Sequence, residues 1–361
     1  QGIGLVLTLD EPLQYEVTKD LAAEIRLAHA DGGEAVVLDS RTGGILAMVD
    51  LVRGPGGAVV PASSNLALTA VYEPGSVMKI ATVAGALEEG LVTPSTELTV
   101  PYQIDVGGWP FDDAEWHPTE KMPVTQIIAQ SSNVGTIEIA RMLGEQRLSE
   151  FLRRFGFGEP TGLGWPGAST GILGSPATWS AAAMGAVPIG TDEAVTALQV
   201  ADAYNALANG GVFVPPHLVR ALVLPNGRVE PVPLPPRRRV IRASVAAELV
   251  PIFEGVTTDA NGTALAAQVP GYLVAGKTGT AQIPSTTGPG YTPGAWMGTF
   301  VGFVPAQAPR LTAVVVLDHP EPIYGGLVAA PVFSRIMQYA LRHFDIPPPT
   351  VAGAPTGAPG P

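Results

Sequence analysis

No cysteine occurs in the 361 residues, which excludes a disulfide framework, a thiolate zinc site and a cysteine nucleophile together, while leaving the redox compartment open. Basic charge is scarce. Lys and Arg total 20 against 32 Asp and Glu, a formal net charge of −12, and this balance speaks against nucleic acid or an anionic membrane surface as the main partner, because phosphate binding needs concentrated Lys and Arg. The one basic run, Arg237, Arg238 and Arg239 with Arg242, follows a proline-rich stretch and reads as a solvated loop. Charged residues of all kinds make up only 14% of the chain against 46% hydrophobic, so the interior is well supplied and general disorder is not expected. Long apolar runs are missing too. There is no stretch of about twenty apolar residues and no positively charged, apolar leader at Gln1, so the expectation is a soluble chain whose anchor, if it has one, lies upstream. The length suits one large domain or two modest ones.

Lysine is the rarest basic residue, four against sixteen arginines. Two of the four lie in segments that read like chemistry: Glu73-Pro74-Gly75-Ser76-Val77-Met78-Lys79 and Gly276-Lys277-Thr278-Gly279-Thr280. A guanidinium stays protonated in proteins, whereas an ammonium can be tuned down by burial and neighbouring cations, so positions that keep Lys are candidates for work that Arg cannot do. Ser76 precedes Lys79 by three residues, which on a helix puts hydroxyl and amine on one face, the geometry of a nucleophile beside its base.

Periodicity and turn residues order the chain. Asp10 and Pro12 predict a helix start reaching about His29; Glu34 to Asp39 and Ile45 to Asp50 predict a hairpin across residues 40–44. The middle has helical period over Val77 to Glu89, Val124 to Leu143, Gln146 to Phe155, Ala194 to Ala208 and Ser244 to Val256, several of these ending in glycine. Strands return at Tyr272 to Ala275 and on through Lys277, at Trp296 to Val304 and at Leu311 to Asp318, before a last helix from about Pro331 to Phe344. Strands, helices, strands and a helix in that order predict one sheet made from both ends of the chain with a helical region inserted between. Residues 346–361, rich in Pro and Gly, read as a disordered linker.

Two literal motif matches fail on context. Gly271 to Thr278 fits the phosphate-loop pattern, but strand formers lie between its glycines, and Gly279 and Pro284 follow where a helix should begin. Gly167-Ala168-Ser169-Thr170-Gly171 fits the nucleophile elbow, yet turn residues flank it on both sides instead of a strand and a helix. Asp112, Asp113, Glu115 and His117 could suggest a metal, but without a second histidine at helical spacing they read as an exposed loop.

A third constellation is more specific: Ser76-x-x-Lys79, then Ser131-Ser132-Asn133, then Lys277-Thr278-Gly279, a set shared by class A β-lactamases and penicillin-binding proteins. Around it, Val71-Tyr72-Glu73-Pro74-Gly75-Ser76, Gln130 to Gly135, Phe155 to Gly158, Thr196 to Gln199 with Ala208 to Gly211, Gly276 to Gln282, and Tyr324 to Gly326 with Ala330 to Phe333 resemble the transpeptidase domain of class B penicillin-binding proteins, of the division type like penicillin-binding protein 3. Elongation-type enzymes are similar, and Leu51 to Ser64 and Met184 to Gly190 depart from the family pattern. The resemblance covers residues 1–345 as one transpeptidase domain. It implies an α/β penicillin-binding/β-lactamase-like fold, with an antiparallel five-stranded sheet flanked by helices and an all-helical subdomain inserted over roughly 80–260.

Chemistry read from the residues makes Ser76 the nucleophile and a neutral Lys79 its base. An exposed lysine titrates near about 10.4, so a base near neutral pH must lose roughly 4 kcal/mol of ammonium stability to burial and to the charge of Lys277. The Ser76 N–H at a helix start supplies half of an oxyanion hole. The resemblance implies the Thr280 N–H as the other half, Ser131 as proton relay, Asn133 as holder of the substrate's peptide amide, and Lys277, Thr278, Gly279 and Thr280 as the seat of a D-Ala-D-Ala carboxylate. It further implies peptidoglycan D,D-transpeptidation, covalent inhibition by β-lactam antibiotics, an extracytoplasmic domain at the bacterial membrane, and partners among glycan polymerases and division or elongation proteins, with no nucleic acid, metal or cofactor. A serine β-lactamase is the main rival, but no glutamate–asparagine element follows Ser131-Ser132-Asn133, and Ser132 stands where that enzyme would have Asp. A β-lactam-sensing receptor domain, acylated without turnover, is the other.

Overall fold

Asp10 caps the first helix as expected: in the structure, a computed structural model describing residues 2–349, its carboxylate accepts the Leu13 N–H at 2.9 Å and α1 spans Glu11–Leu27. The hairpin follows as β1 (Gly32–Asp39) and β2 (Ile45–Arg53), continued by a three-residue strand β3 (Val59–Pro61). A 3₁₀ turn over Gly75–Met78 leads into α2 (Lys79–Glu88). Then come α3 (Val124–Ala129), α4 (Asn133–Leu143), α5 (Glu145–Arg154), α6 (Ala197–Ala208) and α7 (Ala243–Thr258). The chain closes with β4 (Ala275–Pro284), β5 (Tyr291–Val304), β6 (Leu311–Asp318) and α8 (Gly325–His343).

These strands form one antiparallel sheet in the order β4-β5-β6-β1-β2-β3, so the two chain ends meet at the β6–β1 seam. Five strands are those expected, and β3 adds a short sixth at the edge. α1 and α8 pack on each other and on the sheet, while α6 packs on β1 and β6 and brings Asn205 to within 3.0 Å of the Thr312 hydroxyl. Layers on the sheet explain why β1 and β6 are buried at every position but their last and read as continuous apolar runs instead of alternating ones.

Several expectations are corrected. The inserted region is not all helical: Glu97–Val100 pairs with Glu120–Pro123, and Gln103–Val106 pairs with Trp109–Asp112. Gly107 and Gly108, both at positive φ, turn the second hairpin, a two-residue turn whose twist suits paired strands. The single helix expected over Val124 to Leu143 is broken in two at Ser131, whose φ is 62°. Arg238 and Arg239 are not a free loop; they pair with Phe213 and Val212, and the Arg238 guanidinium lies 4.2 Å over the Phe213 ring. α8 begins six residues before Pro331, because Val328 and Ala329 are already buried upstream of it. β4 begins at Ala275 and leaves Tyr272 outside it. Of the tail expected over 346–361, residues from 350 on lie outside the described part, and Ile346 is buried, its carbonyl accepting the Tyr272 hydroxyl at 2.6 Å.

Candidate active site

Ser76 sits in the 3₁₀ turn ahead of α2, not in the α-helix proper. Its turn is clamped from three sides. The Gly75 N–H donates to the Gly190 carbonyl at 3.0 Å, and the Tyr204 hydroxyl donates to the Val77 carbonyl at 3.0 Å. Glycine is required where these segments touch: a Cβ on Gly75, itself at φ 59°, would meet the Thr280 backbone at 3.1 Å, and one on Gly190 would lie 2.1 Å from the Gly75 carbonyl oxygen. Gly279 is equally confined, since a Cβ there would lie 2.6 Å from the Pro74 oxygen. The nucleophile's turn is therefore pressed directly onto β4, near the Thr280 amide.

Lys79, the first residue of α2, is fully buried. Its Nζ donates to the Ser131 carbonyl at 2.6 Å, the Asn133 Oδ1 at 2.9 Å and the Ser131 hydroxyl at 3.3 Å, joining two of the motifs through one amine. Burial lowers its ammonium to about 7, partly opposed by the negative charge of Asp113. The help expected from Lys277 runs the other way: Lys277, also fully buried, is pushed well down by burial and then by the charge of Lys79. Lys277 reaches the Thr278 hydroxyl at 3.1 Å, which in turn lies 2.9 Å from the Thr263 hydroxyl. Two ammoniums cannot both persist cheaply in one buried space, so protonating either favours the neutral form of the other.

Ser131 occupies the break between α3 and α4, and its positive φ turns its carbonyl and hydroxyl toward Lys79. The break is held by a residue that sequence reasoning set aside. Asp113, assigned to an exposed loop, is 7% exposed; its carboxylate accepts the Ser132 hydroxyl at 2.7 Å and the N–H groups of Asn133 at 2.5 Å and Val134 at 2.9 Å, the free donors at the start of α4. His117 contacts the same carboxylate at 3.0 Å. Ser132 completes the cap by accepting the Gly135 N–H at 2.9 Å, which is the work of a serine here where a β-lactamase would have Asp. The signal in the sequence was present as Asp112-Asp113, but its partner lies about twenty residues downstream and nothing local announces it.

The segments enclose a cleft of about 720 Å³ whose walls include Ser76, Ser131, Asn133, Thr278 and Thr280. Lys79, Lys277 and Gly279 stand behind that surface. Among the described residues the Ser76 hydroxyl makes no hydrogen bond, so it is free to meet a ligand. The Thr280 hydroxyl accepts the Gly325 N–H at 3.3 Å, tying β4 to the start of α8. At one rim Tyr291 donates to Glu73 at 3.1 Å; burial raises the Glu73 carboxyl to about 6. The two decoys are structural: Gly276 to Thr278 run in register with Gly302 to Phe300 inside the sheet, and the Ser169 hydroxyl closes its own turn by accepting the Gly171 N–H at 3.1 Å. Among the described residues no group of three His, Asp or Glu could hold a metal ion.

The family model described as the penicillin binding protein transpeptidase domain matches residues 33–338. The chain belongs to that family. Across 96% of its length it is 36% identical to penicillin-binding protein PbpB of Mycolicibacterium smegmatis, covering 55% of that protein. It is 33% identical to peptidoglycan D,D-transpeptidase FtsI of Escherichia coli, with 96% of the chain against 57% of the relative. The chain thus spans about half the length of these relatives. Its fold superposes on penicillin-binding protein 3 of Mycobacterium tuberculosis complexed with ampicillin, at a TM-score of 0.91 and 34% identity, covering 98% of the chain and 81% of that structure. The family's division-type members, penicillin-binding protein 3 and FtsI among them, are those it resembles.

Proposed function

We propose that this chain is the catalytic part of a peptidoglycan D,D-transpeptidase that cross-links stem peptides through an acyl-enzyme on Ser76 and is acylated there by β-lactams. The observation that carries the reading is the single amine of Lys79 bonded to both Ser131 and Asn133 behind a cleft that Ser76 lines. Neutral Lys79 takes the Ser76 proton as Oγ attacks the penultimate D-Ala carbonyl, and the developing oxyanion meets the N–H groups of Ser76 and Thr280. Ser131 passes the proton to the departing D-Ala nitrogen as the C–N bond breaks. An incoming amine then attacks the ester, a new amide forms, and Ser76 recovers its proton. Asn133 holds the substrate's peptide amide. The terminal carboxylate seats on Thr278 and Thr280 above Lys277, and its negative charge favours the protonated form of Lys277, which drives Lys79 toward the neutral form that the first step needs.

The alternative of a β-lactamase requires a carboxylate to activate water. Asp113 is occupied by the donors of α4 and by His117, Glu73 by Tyr291 and the Asp192 N–H, and Glu115 and Glu120 are exposed to solvent where they line the cleft, so the ester should outlive many encounters with water. Among the described residues no helix is long and apolar enough to cross a membrane. We infer that the domain works outside the cytoplasmic membrane, held by an anchor, beside a glycan polymerase and division or elongation proteins, a reading its likeness to FtsI and PbpB supports. Nitrocefin distinguishes the readings: a burst equal to the enzyme concentration followed by near-zero turnover supports the transpeptidase, and sustained rapid turnover overturns it in favour of a β-lactamase.

A further inference from the structure

Gln282, at the edge of the catalytic cleft, also borders a second cavity of about 310 Å³ that the chemistry above does not use. Its walls are mostly apolar, with Leu66, Val71, Met297 and Val316, and three carboxyl side chains, Glu34, Glu73 and Asp318, share the lining with Tyr72. Glu34 is 6% exposed and Tyr72 7%, and among the described residues the Glu34 Oε2 and the Tyr72 hydroxyl are buried without a hydrogen-bond partner. Native interiors leave few such atoms, because each lost partner costs the desolvation of the group.

The sheet compounds the problem. Glu34 on β1 stands directly opposite Asp50 on β2, and like charges so placed weaken a ladder. Burial, followed by the charges of Asp50 and Asp318, pushes Glu34 up to about 8, and burial raises Asp50 to about 6. Asp318 has His319 at 3.2 Å; no lysine or arginine lowers the carboxyls of Glu34, Asp50 or Glu73. Near neutral pH Glu34 therefore keeps its proton while the cavity is empty, and a cation bound beside it favours the carboxylate; the carboxyls are too dispersed to chelate a metal ion. Apolar walls with an unpartnered carboxyl and phenol oxygen match a short aliphatic chain ending in an ammonium, whose three N–H donors need such acceptors.

We propose that this cavity binds a small organic cation, an alkyl primary ammonium, with its N–H groups on Glu34 and the Tyr72 oxygen and its chain against Leu66, Val71 and Met297. The site is independent of the acyl-transfer reading, since none of its ligands carries a step of that reaction. Calorimetric titration of the wild-type chain with n-butylammonium and with n-butanol, its neutral counterpart, near neutral pH tests it, alongside the same titration of Glu34→Gln. The proposal expects saturable millimolar binding of butylammonium, weakened at least about tenfold both for butanol and in Glu34→Gln. Equal binding of alcohol and ammonium would reduce the site to a greasy void and overturn it. So would unchanged affinity in a folded Glu34→Gln, or no saturable ammonium binding to wild type, the result for a cavity that holds only water. Should Glu34→Gln fail to fold, the wild-type comparison of ammonium with alcohol decides alone.

Discussion

The two walls of the catalytic cleft are held by different physics. On the sheet side, Lys277 to Thr280 take their places from the ladder with β5, residue against residue, and from glycines that let the Ser76 turn lie flat against the strand. On the helical side no ladder holds Ser131 or Asn133. Ser131 and Asn133 sit at a break between helices, fixed by one carboxylate, Asp113, that gathers the free N–H groups of α4. Lys79 bridges the nucleophile's helix and the helical side, bonding Ser131 and Asn133, while Lys277 lies behind the other wall. A wall built from a ladder tolerates loss of a side-chain contact but not of space; a wall built from one buried anion tolerates neither loss of charge nor loss of geometry.

The largest effect expected is at the bridge. Lys79→Arg replaces the amine bonded to Ser131 and Asn133 with a group that stays protonated, so β-lactam acylation should fall by about 10²–10⁴, measured by stopped-flow with circular dichroism to show the fold intact. The wild-type rate should also rise with pH through about 7 and level off above it, because only the neutral amine accepts the Ser76 proton and its fraction grows as pH passes its pKa. The mutant should show no such rise. Undiminished acylation in Lys79→Arg moves the base elsewhere and removes the bridge from the comparison.

Next in size is a loss of space on the sheet wall. Gly279→Ala places a methyl 2.6 Å from the Pro74 oxygen, forcing the strand and the nucleophile turn apart. A displacement of that order should slow acylation by about 10²-fold while the six-stranded ladder keeps thermal stability close to wild type. A large drop in melting temperature with normal acylation would contradict the claim that this contact serves the site.

The smallest catalytic effect, and the larger cost in stability, is expected on the helical wall. Asp113→Asn keeps the shape but loses the charge that accepts from Ser132, Asn133 and Val134, and should destabilise the chain by about 1–3 kcal/mol, read by denaturant unfolding. Acylation should fall by about tenfold through misplacement of Ser131 and Asn133. The contrast between these two variants, rate without stability and stability with a modest rate, sharpens the comparison; identical profiles would erase it.

The same contrast explains what was legible in the sequence. β1, β6 and the cap at Asp10 announce themselves through local patterns, because continuous apolar runs and an Asp-x-Pro start report conditions met within a few residues. The motif residues were legible for a related reason: Ser76 and Lys79 share one turn, and Lys277 to Thr280 share one strand. Asp113 was not. Its acidic neighbourhood resembles a solvated loop, and only the hairpins that carry it back over the start of α4 turn it into a buried cap. The break at Ser131 was hidden likewise, since Val124 to Leu143 keeps helical period straight through it while the backbone leaves the helix to face Lys79. The paired Gly107 and Gly108 are the local signal of the second hairpin, a turn that helical residues on either side of the segment obscure.

The central claim is that Ser76 is the nucleophile. Intact mass spectrometry after incubation with a labelled penicillin tests it most directly, on the wild-type chain and on Ser76→Ala. One penicilloyl group per wild-type chain, located to the peptide bearing Ser76, with none on Ser76→Ala, is the predicted result; an adduct of undiminished yield on a folded Ser76→Ala chain would contradict it.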